Sequence, residues 1–248
     1  MTLQQSGMVI DRNSPVPLYY QLKQQMLEKI EKGEWKPGDS VPTEQELQQS
    51  YKLSRTTVRQ ALAEMVMEGR LTRQRGRGTF VAQPKFQHDP LRHRGIGQYL
   101  LEQGLMPGWK VLDERHIVAP AEIAARLHLP RHARVYCLQR LRLASDEPIG
   151  YLVSYVPEVL AEAIDRSALN KGGSTDYLKR LPQMGDHCIE RSIEAVAAGE
   201  PEAKLLRVKR GTPMLSIERL IVARDGTPIE FLRARYRGDR MKYQINCS

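Results

Sequence analysis

One stretch of this chain occurs twice, and the repetition constrains the fold more than any other feature. LHLPRHARVYCLQRLRLASDEPIGYL, starting at Leu127, matches LRVKRGTPMLSIERLIVARDGTPIEFL, starting at Leu206; the offset of 79 residues becomes 80 after one insertion in the turn. Each copy reads as a helix, a strand, a tight turn (SDEP or RDGTP) and a returning strand. Duplicated hairpins of this kind pair into one antiparallel sheet with pseudo-twofold symmetry. The seam between the halves is a natural place for a cleft.

The two copies differ at informative positions. Arg140 aligns with Arg219, but Arg142 aligns with Ile221 and Gly150 with Glu230. Arg140 and Arg142 are two apart and share one face of a strand. Adjacent guanidinium groups repel unless they are solvated or share an anion, and a carboxylate or phosphate ligand satisfies both. The competing reading is an exposed strand face with acidic cross-strand partners.

A different chemistry occupies Thr43 to Val81. Thr43 and Glu46 form a capping box, so a helix starts there and runs to about Tyr51. After a short turn at Lys52 and Leu53, Ser54 caps a second helix. Its buried stripe is Val58, Ala61, Leu62, Met65 and Val66, and Gly69 ends it. The other face carries Arg55, Thr56, Arg59 and Gln60 near its start. These are groups that read base edges and phosphates when a helix enters a major groove. Leu71 to Val81 then reads as strand, RGRG turn and strand, with Arg73, Arg75 and Arg77 at or beside the tip. Gly76 and Gly78 permit positive φ, so the hairpin can lie along a narrow groove with arginine inserted.

A solvated face explains one helix with two arginines equally well. The hairpin favours nucleic acid: between Lys52 and Pro84 seven Lys/Arg face two Asp/Glu, Glu64 and Glu68. Upstream, Pro15 to Gly33 carries Leu18, Leu22, Met26 and Ile30 at four-residue steps, the first helix of a three-helix core.

PTEQEL, SRTTVRQAL and EGRLTRQRGRGTFV together resemble the winged helix-turn-helix of the GntR family of bacterial transcription regulators. The resemblance implies that Ser54, Arg55, Thr56, Thr57 and Arg59 contact operator DNA. It also implies that the wing of Arg75, Gly76, Arg77 and Gly78 enters the minor groove. Many relatives carry arginine where this chain has Gln45, so a DNA contact at Gln45 is weaker or differently selective. From about Arg94 onward the chain resembles the UTRA ligand-sensing domain of the HutC branch, a chorismate-lyase-like fold, most clearly in QRLRLASDEP and PIEFLRARYRGDR. That resemblance implies an effector pocket lined by Arg140, Arg142, Glu230 and Tyr236, with Ser174 transferred from the GGSTDYL stretch. Two departures bear on the effector: Leu152 replaces a frequent glutamate, and the loop that offers hydroxyls in sugar-phosphate sensors reads Arg94, Gly95, Ile96, Gly97. An amino-sugar phosphate then loses its amine partner and some phosphate donors. A more apolar organic acid, or another anion reached by Arg94, fits better.

The expected architecture is α+β: residues 1–82 a winged helix-turn-helix, 83–94 a linker, and 95–248 the effector-binding and dimerisation domain. The 83–94 linker reading rests on QPKFQHDPLRHR, which is rich in proline and cations and without periodicity. Beyond it Ile96 to Gln103 and Pro120 to Leu127 read as helices and Trp109 to Val118 as a strand. Net charge is +9: residues 1–84 hold 12 Lys/Arg against 9 Asp/Glu, and the remainder 26 against 20. The excess beyond the reading head needs its own cause, either solubility or an anion pocket.

Three cysteines, Cys137, Cys188 and Cys247, lie far apart and read as reduced thiols. There is no apolar run of bilayer length and no secretory pattern, so a cytoplasmic location is expected. Phosphate-loop and serine-hydrolase patterns are absent, and Pro130 separates His128 from His132; neither a cofactor nor a metal is expected. Two functions remain. One is a ligand-responsive regulator, a repressor as is commonest in this family, binding operator DNA as a homodimer and responding to a small anionic effector. The other is a chorismate-lyase-like enzyme of a small organic acid with an appended DNA-binding head.

Overall fold

Pro17 precedes the first helix, α1 (Leu18–Glu31), which turns Leu22 and Met26 fully into the core. The computed structural model describes residues 10–74, 76–83, 85–88 and 96–243, with the backbone alone for 86–88. The chain divides into two compact units, residues 1–84 and 85–248.

In the first unit α2 (Glu44–Tyr51) and α3 (Arg55–Met67) follow α1, and a hairpin of β1 (Leu71–Gln74) and β2 (Gly78–Val81) closes it. The capping box forms as expected: the Thr43 hydroxyl accepts from the Glu46 amide at 3.3 Å, while the Glu46 carboxylate accepts from the Thr43 amide at 2.7 Å. That contact to the Thr43 backbone holds the Glu46 carboxyl below its ordinary pKa. Val58, Ala61, Leu62 and Met65 of α3 meet Leu22, Met26, Leu47, Leu71 and Val81 in one apolar cluster. Each large aliphatic side chain there contributes about 1.5–3 kcal/mol by leaving water. Lys23 is the ionic addition to this packing, since its ammonium reaches Glu68 and, at 3.2 Å, Glu64 on α3. The hydrogen bond to Glu68 is the main cause of its raised pKa.

The second unit is built on six antiparallel strands. β3 (Phe86–His88) and α4 (Ile96–Glu102) lead into β4 (Pro107–Val118), α5 (Ala121–Arg126), β5 (Arg134–Ala144) and β6 (Glu147–Pro157). A connector of short 3₁₀ turns containing α6 (Ser174–Tyr177) leads to β7 (His187–Ala197), α7 (Glu200–Leu205), β8 (Pro213–Ala223), β9 (Pro228–Arg237) and β10 (Met241–Tyr243). The sheet order is β4-β5-β6-β9-β8-β7. The segment read as linker is partly structured, because β3 pairs in parallel with β10. A three-residue strand is too short to leave a periodic signal.

The duplication is larger than the sequence match, since β4-α5-β5-β6 and β7-α7-β8-β9 are equivalent units. His128 and Arg207 follow their helices with φ of 53° and 55°, and His132 and Gly211 match at 64° and 82°. The Ala119 amide donates to the Ala133 carbonyl, and the Ala198 amide to the Thr212 carbonyl, each at 2.8 Å. Both central hairpins carry a register shift at the same place, between Arg142 and Leu143 and between Ile221 and Val222. The halves join where β6 meets β9, and Val153 faces its own repeat counterpart, Arg233, across that seam. On one sheet face α5 packs with Leu220 and Phe231 of the other half, while Leu206, just after α7, packs with Leu141. On the opposite face the connector covers Tyr136, Leu138, Ile221 and Ile229.

A candidate DNA-binding face and a buried arginine pair

At the start of α3 the Ser54 hydroxyl accepts from the Thr57 amide at 3.2 Å and lies 2.8 Å from both the Thr56 and Thr57 hydroxyls. Capping thus fixes these hydroxyls at the very end of the helix that faces outward. Arg55, Thr56, Arg59 and Gln60 are exposed beside them, and Thr57 is half-buried. Gln45 is exposed on α2. At the hairpin tip the Arg77 amide donates to the Gln74 carbonyl at 3.0 Å, and Gly76 and Gly78 have φ of 76° and 117°. Those angles justify both glycines, and Arg77 is left exposed. Arg75 lies outside the described residues.

Arg73 does not stand free at the tip. Its guanidinium donates to Glu44 at 3.1 Å, and the other oxygen of Glu44 lies 3.9 Å from Nε of Arg55. One carboxylate therefore bridges the hairpin and the helix start. Sequence reasoning missed Glu44, because it reads as an ordinary acidic residue in the first turn of a helix.

The second site lies on the connector-facing side of the sheet. Arg140 is 1% exposed, and its Nη1 donates at 2.8 Å to the carbonyls of Leu169 and of Gly172. Its guanidinium carbon sits 4.1 Å from the Trp109 ring centre and 4.7 Å from that of Tyr177, while Nη2 is buried with no hydrogen-bond partner. Arg142 shares the Trp109 ring at 4.5 Å and is 5% exposed. Burial, reinforced by the charge of Arg140, pushes its pKa below the ordinary arginine value. Stacking on indole returns about 0.5–2 kcal/mol per cation, less than a buried charge loses in hydration.

Glu230 is fully buried and already engaged. Ser154 and Tyr177 donate to one oxygen, and Arg219 to the other at 2.5 Å. Ser174 joins the same network through Arg219 at 2.5 Å and the Tyr177 hydroxyl at 3.0 Å. Burial opposes ionisation of Glu230, but Arg219 and these donors outweigh it and hold its pKa below the ordinary value. Tyr236 is 5% exposed, and its ring lies over Gly150, where an added Cβ would come within 2.5 Å of Cδ1. Gly97 lies against Arg142, since a Cβ there would be 3.1 Å from Nη2.

The structure therefore brings Arg140 and Arg142 together around Trp109 and gathers Ser174 and Glu230 around Tyr177. Glu230 offers no exposed oxygen. Arg94 lies outside the described residues. Among the described residues no group of three or more His, Cys, Asp or Glu is placed to hold a metal.

Residues 18–81 match the family of bacterial regulatory proteins called gntR, and residues 102–242 match the UTRA domain. Over 236 residues the chain is 33% identical to the HTH-type transcriptional repressor NagR of Bacillus subtilis, covering 95% of this chain and 97% of that one. The chain belongs to the gntR family.

Other members of the family extend the comparison. The histidine utilization repressor of Pseudomonas aeruginosa is 31% identical over 205 residues, covering 83% of this chain and 81% of its own. PhnF from Mycobacterium smegmatis has a similar crystal structure, with a TM-score of 0.60 at 28% identity, covering 93% of this chain and 98% of that one. This gntR-family chain is a DNA-binding transcription regulator rather than an enzyme, with a C-terminal UTRA domain of the kind that binds small-molecule effectors. No helix among its described residues is long and apolar enough to cross a membrane.

Proposed function

We propose that this regulator is a cytoplasmic homodimeric repressor whose grip on operator DNA is released by a small organic anion bound at Arg140 and Arg142. The observation that carries the effector assignment is the pair of buried guanidinium groups on Trp109, one with an unpartnered Nη2. A carboxylate or phosphate supplies the missing acceptor and the missing charge together. Two relatives are named as repressors, of which one concerns histidine utilization. Leu152, in register with Arg140 and 5% exposed, makes the neighbouring wall apolar. That favours an acid with an apolar body over an amino-sugar phosphate.

On the DNA side, Ser54, Arg55, Thr56, Thr57 and Arg59 read the major groove, Arg75 to Gly78 enter the minor groove, and Gln45 lies beside them. Pairing of two chains through the C-terminal unit doubles this footprint on a palindromic site. Coupling runs along the chain: Tyr236 lies in β9 and clusters with Met241 of β10, and β10 pairs with β3 just after the DNA-binding unit. An anion that reorders Tyr236 thereby biases the strand from which the reading head hangs.

A thermal-shift screen of organic acids and sugar phosphates, followed by fluorescence anisotropy on the fragment upstream of the protein's own gene, tests the reading. The expected result is stabilisation by an amine-free acid that also weakens DNA binding and is recovered unchanged. Stabilisation by sugar phosphates alone contradicts the effector class, and turnover of the acid revives the enzyme reading.

A further inference from the structure

Glu44 places a carboxylate beside the cations of the reading surface. It is the first residue of α2, its side chain is 28% exposed, and it is not a member of the apolar cluster beneath it. It is in hydrogen-bond contact with Arg73 at 3.1 Å and in ion-pair range of Arg55 at 3.9 Å. Both partners are open to solvent, at 51% for Arg73 and 73% for Arg55. Exposed ion pairs of this kind add little to stability. Their effect is felt when another anion approaches.

We propose that Glu44 is a specificity-determining residue, an internal anion that occupies Arg73 and restrains Arg55 so that phosphates of non-operator DNA do not recruit them. Generic duplex offers only its backbone, and every arginine withheld from phosphate lowers that affinity and its salt dependence. Operator DNA adds base-edge contacts from the start of α3, which offset the repulsion of one carboxylate. A fixed negative charge on the contact surface therefore penalises the wrong duplex more than the right one. The bridge has a geometric consequence as well: it ties β1 to the start of α3, so hairpin and helix meet the two grooves at a set spacing.

The test measures binding of the full-length protein to a random-sequence duplex and to a duplex selected by the wild type from a randomised pool, across a salt series. Glu44→Gln keeps the shape and removes the charge. It is expected to tighten random-duplex binding about threefold to tenfold at low salt and to steepen the slope of log affinity against log salt by about 0.9, one phosphate contact. Selected-duplex affinity gains less, so the ratio of the two falls. Glu44→Asp retains the charge and is expected to keep the wild-type slope. Adding Arg73→Gln to Glu44→Gln is expected to return the slope to the wild-type value. An unchanged slope and random-duplex affinity in a Glu44→Gln protein with wild-type circular dichroism would overturn the proposal. Equal weakening on both duplexes would overturn it too, because it marks Glu44 as purely structural.

Discussion

Arg140 and Arg219 occupy equivalent positions in the two halves of the duplicated sheet, yet the fold gives them different counterparts. Arg219 meets the buried carboxylate of Glu230 at 2.5 Å, whereas Arg140 meets two backbone carbonyls. The exchange of Gly150 for Glu230 at matching positions accounts for this. In one half the anion is built into the chain; in the other the space over the glycine goes to the Tyr236 ring.

Arg142 is the member of the pair with no arginine counterpart in the other half, and its burial beside Arg140 disfavours its charge. Arg142→Met is expected to raise stability in urea by about 1 kcal/mol, because a buried cation is replaced by an apolar chain of similar length. The same variant should lose stabilisation by any anion that protects the wild type. A loss of stability in urea would show that the guanidinium already has an adequate partner.

Glu230→Gln should cost about 3 kcal/mol, since it leaves Arg219 charged and largely buried without a counter-ion. The folded pKa of Glu230 lies below the ordinary glutamate value of 4.5, so its contribution is complete above that pH and is lost as pH falls through the folded pKa. Chemical unfolding of both proteins between neutral pH and about pH 3 should show a constant gap that narrows only at the acid end. A gap that widens on acidification would reverse the assigned sign.

Gly150→Ala forces a Cβ into the Tyr236 ring, 2.5 Å from both Cδ1 and Cε1. A ring fixed by burial yields little, and the expected cost is about 1–3 kcal/mol in denaturant unfolding. Combining Gly150→Ala with Tyr236→Leu should cost less than the two single changes added together. Strict additivity would mean that the two residues do not share this space.

Arg59→Ala should cost on the order of 1–3 kcal/mol of operator affinity if the side chain grips a base. Competition with random duplex separates the possibilities. Convergence of operator and random affinities assigns Arg59 to base reading, while an equal loss on both assigns it to phosphate.

Much of this was legible in the sequence because short-range physics fixed it. Thr43, Glu46 and Ser54 announced their caps, the α3 stripe announced its buried face, and RGRG announced a turn that only glycine accommodates. The central hairpins were visible as a repeat, but β4 and β7 were not matched, since edge strands facing solvent keep little residue identity. The connector from Glu158 to Gly185 was unreadable: its short turns lack period, and their place is set by the apolar sheet face beneath. At the arginine pair, the two charges were visible, but Trp109 comes from a neighbouring strand and Tyr177 from the connector. The pairing register sets Trp109 opposite Arg142, and packing of the connector on the sheet face brings Tyr177 beside Arg140.

The proposed regulator joins a DNA-gripping face to an anion-sensing arginine pair in one molecule. The most direct measurement is fluorescence anisotropy of the upstream promoter fragment with wild type and Arg142→Met, titrated at constant low ionic strength with an acid that stabilises the wild type. Both proteins are expected to bind the fragment above random DNA, and the acid is expected to release the wild type while leaving Arg142→Met bound. Failure of the wild type to prefer the promoter fragment, or equal release of both proteins, would contradict it.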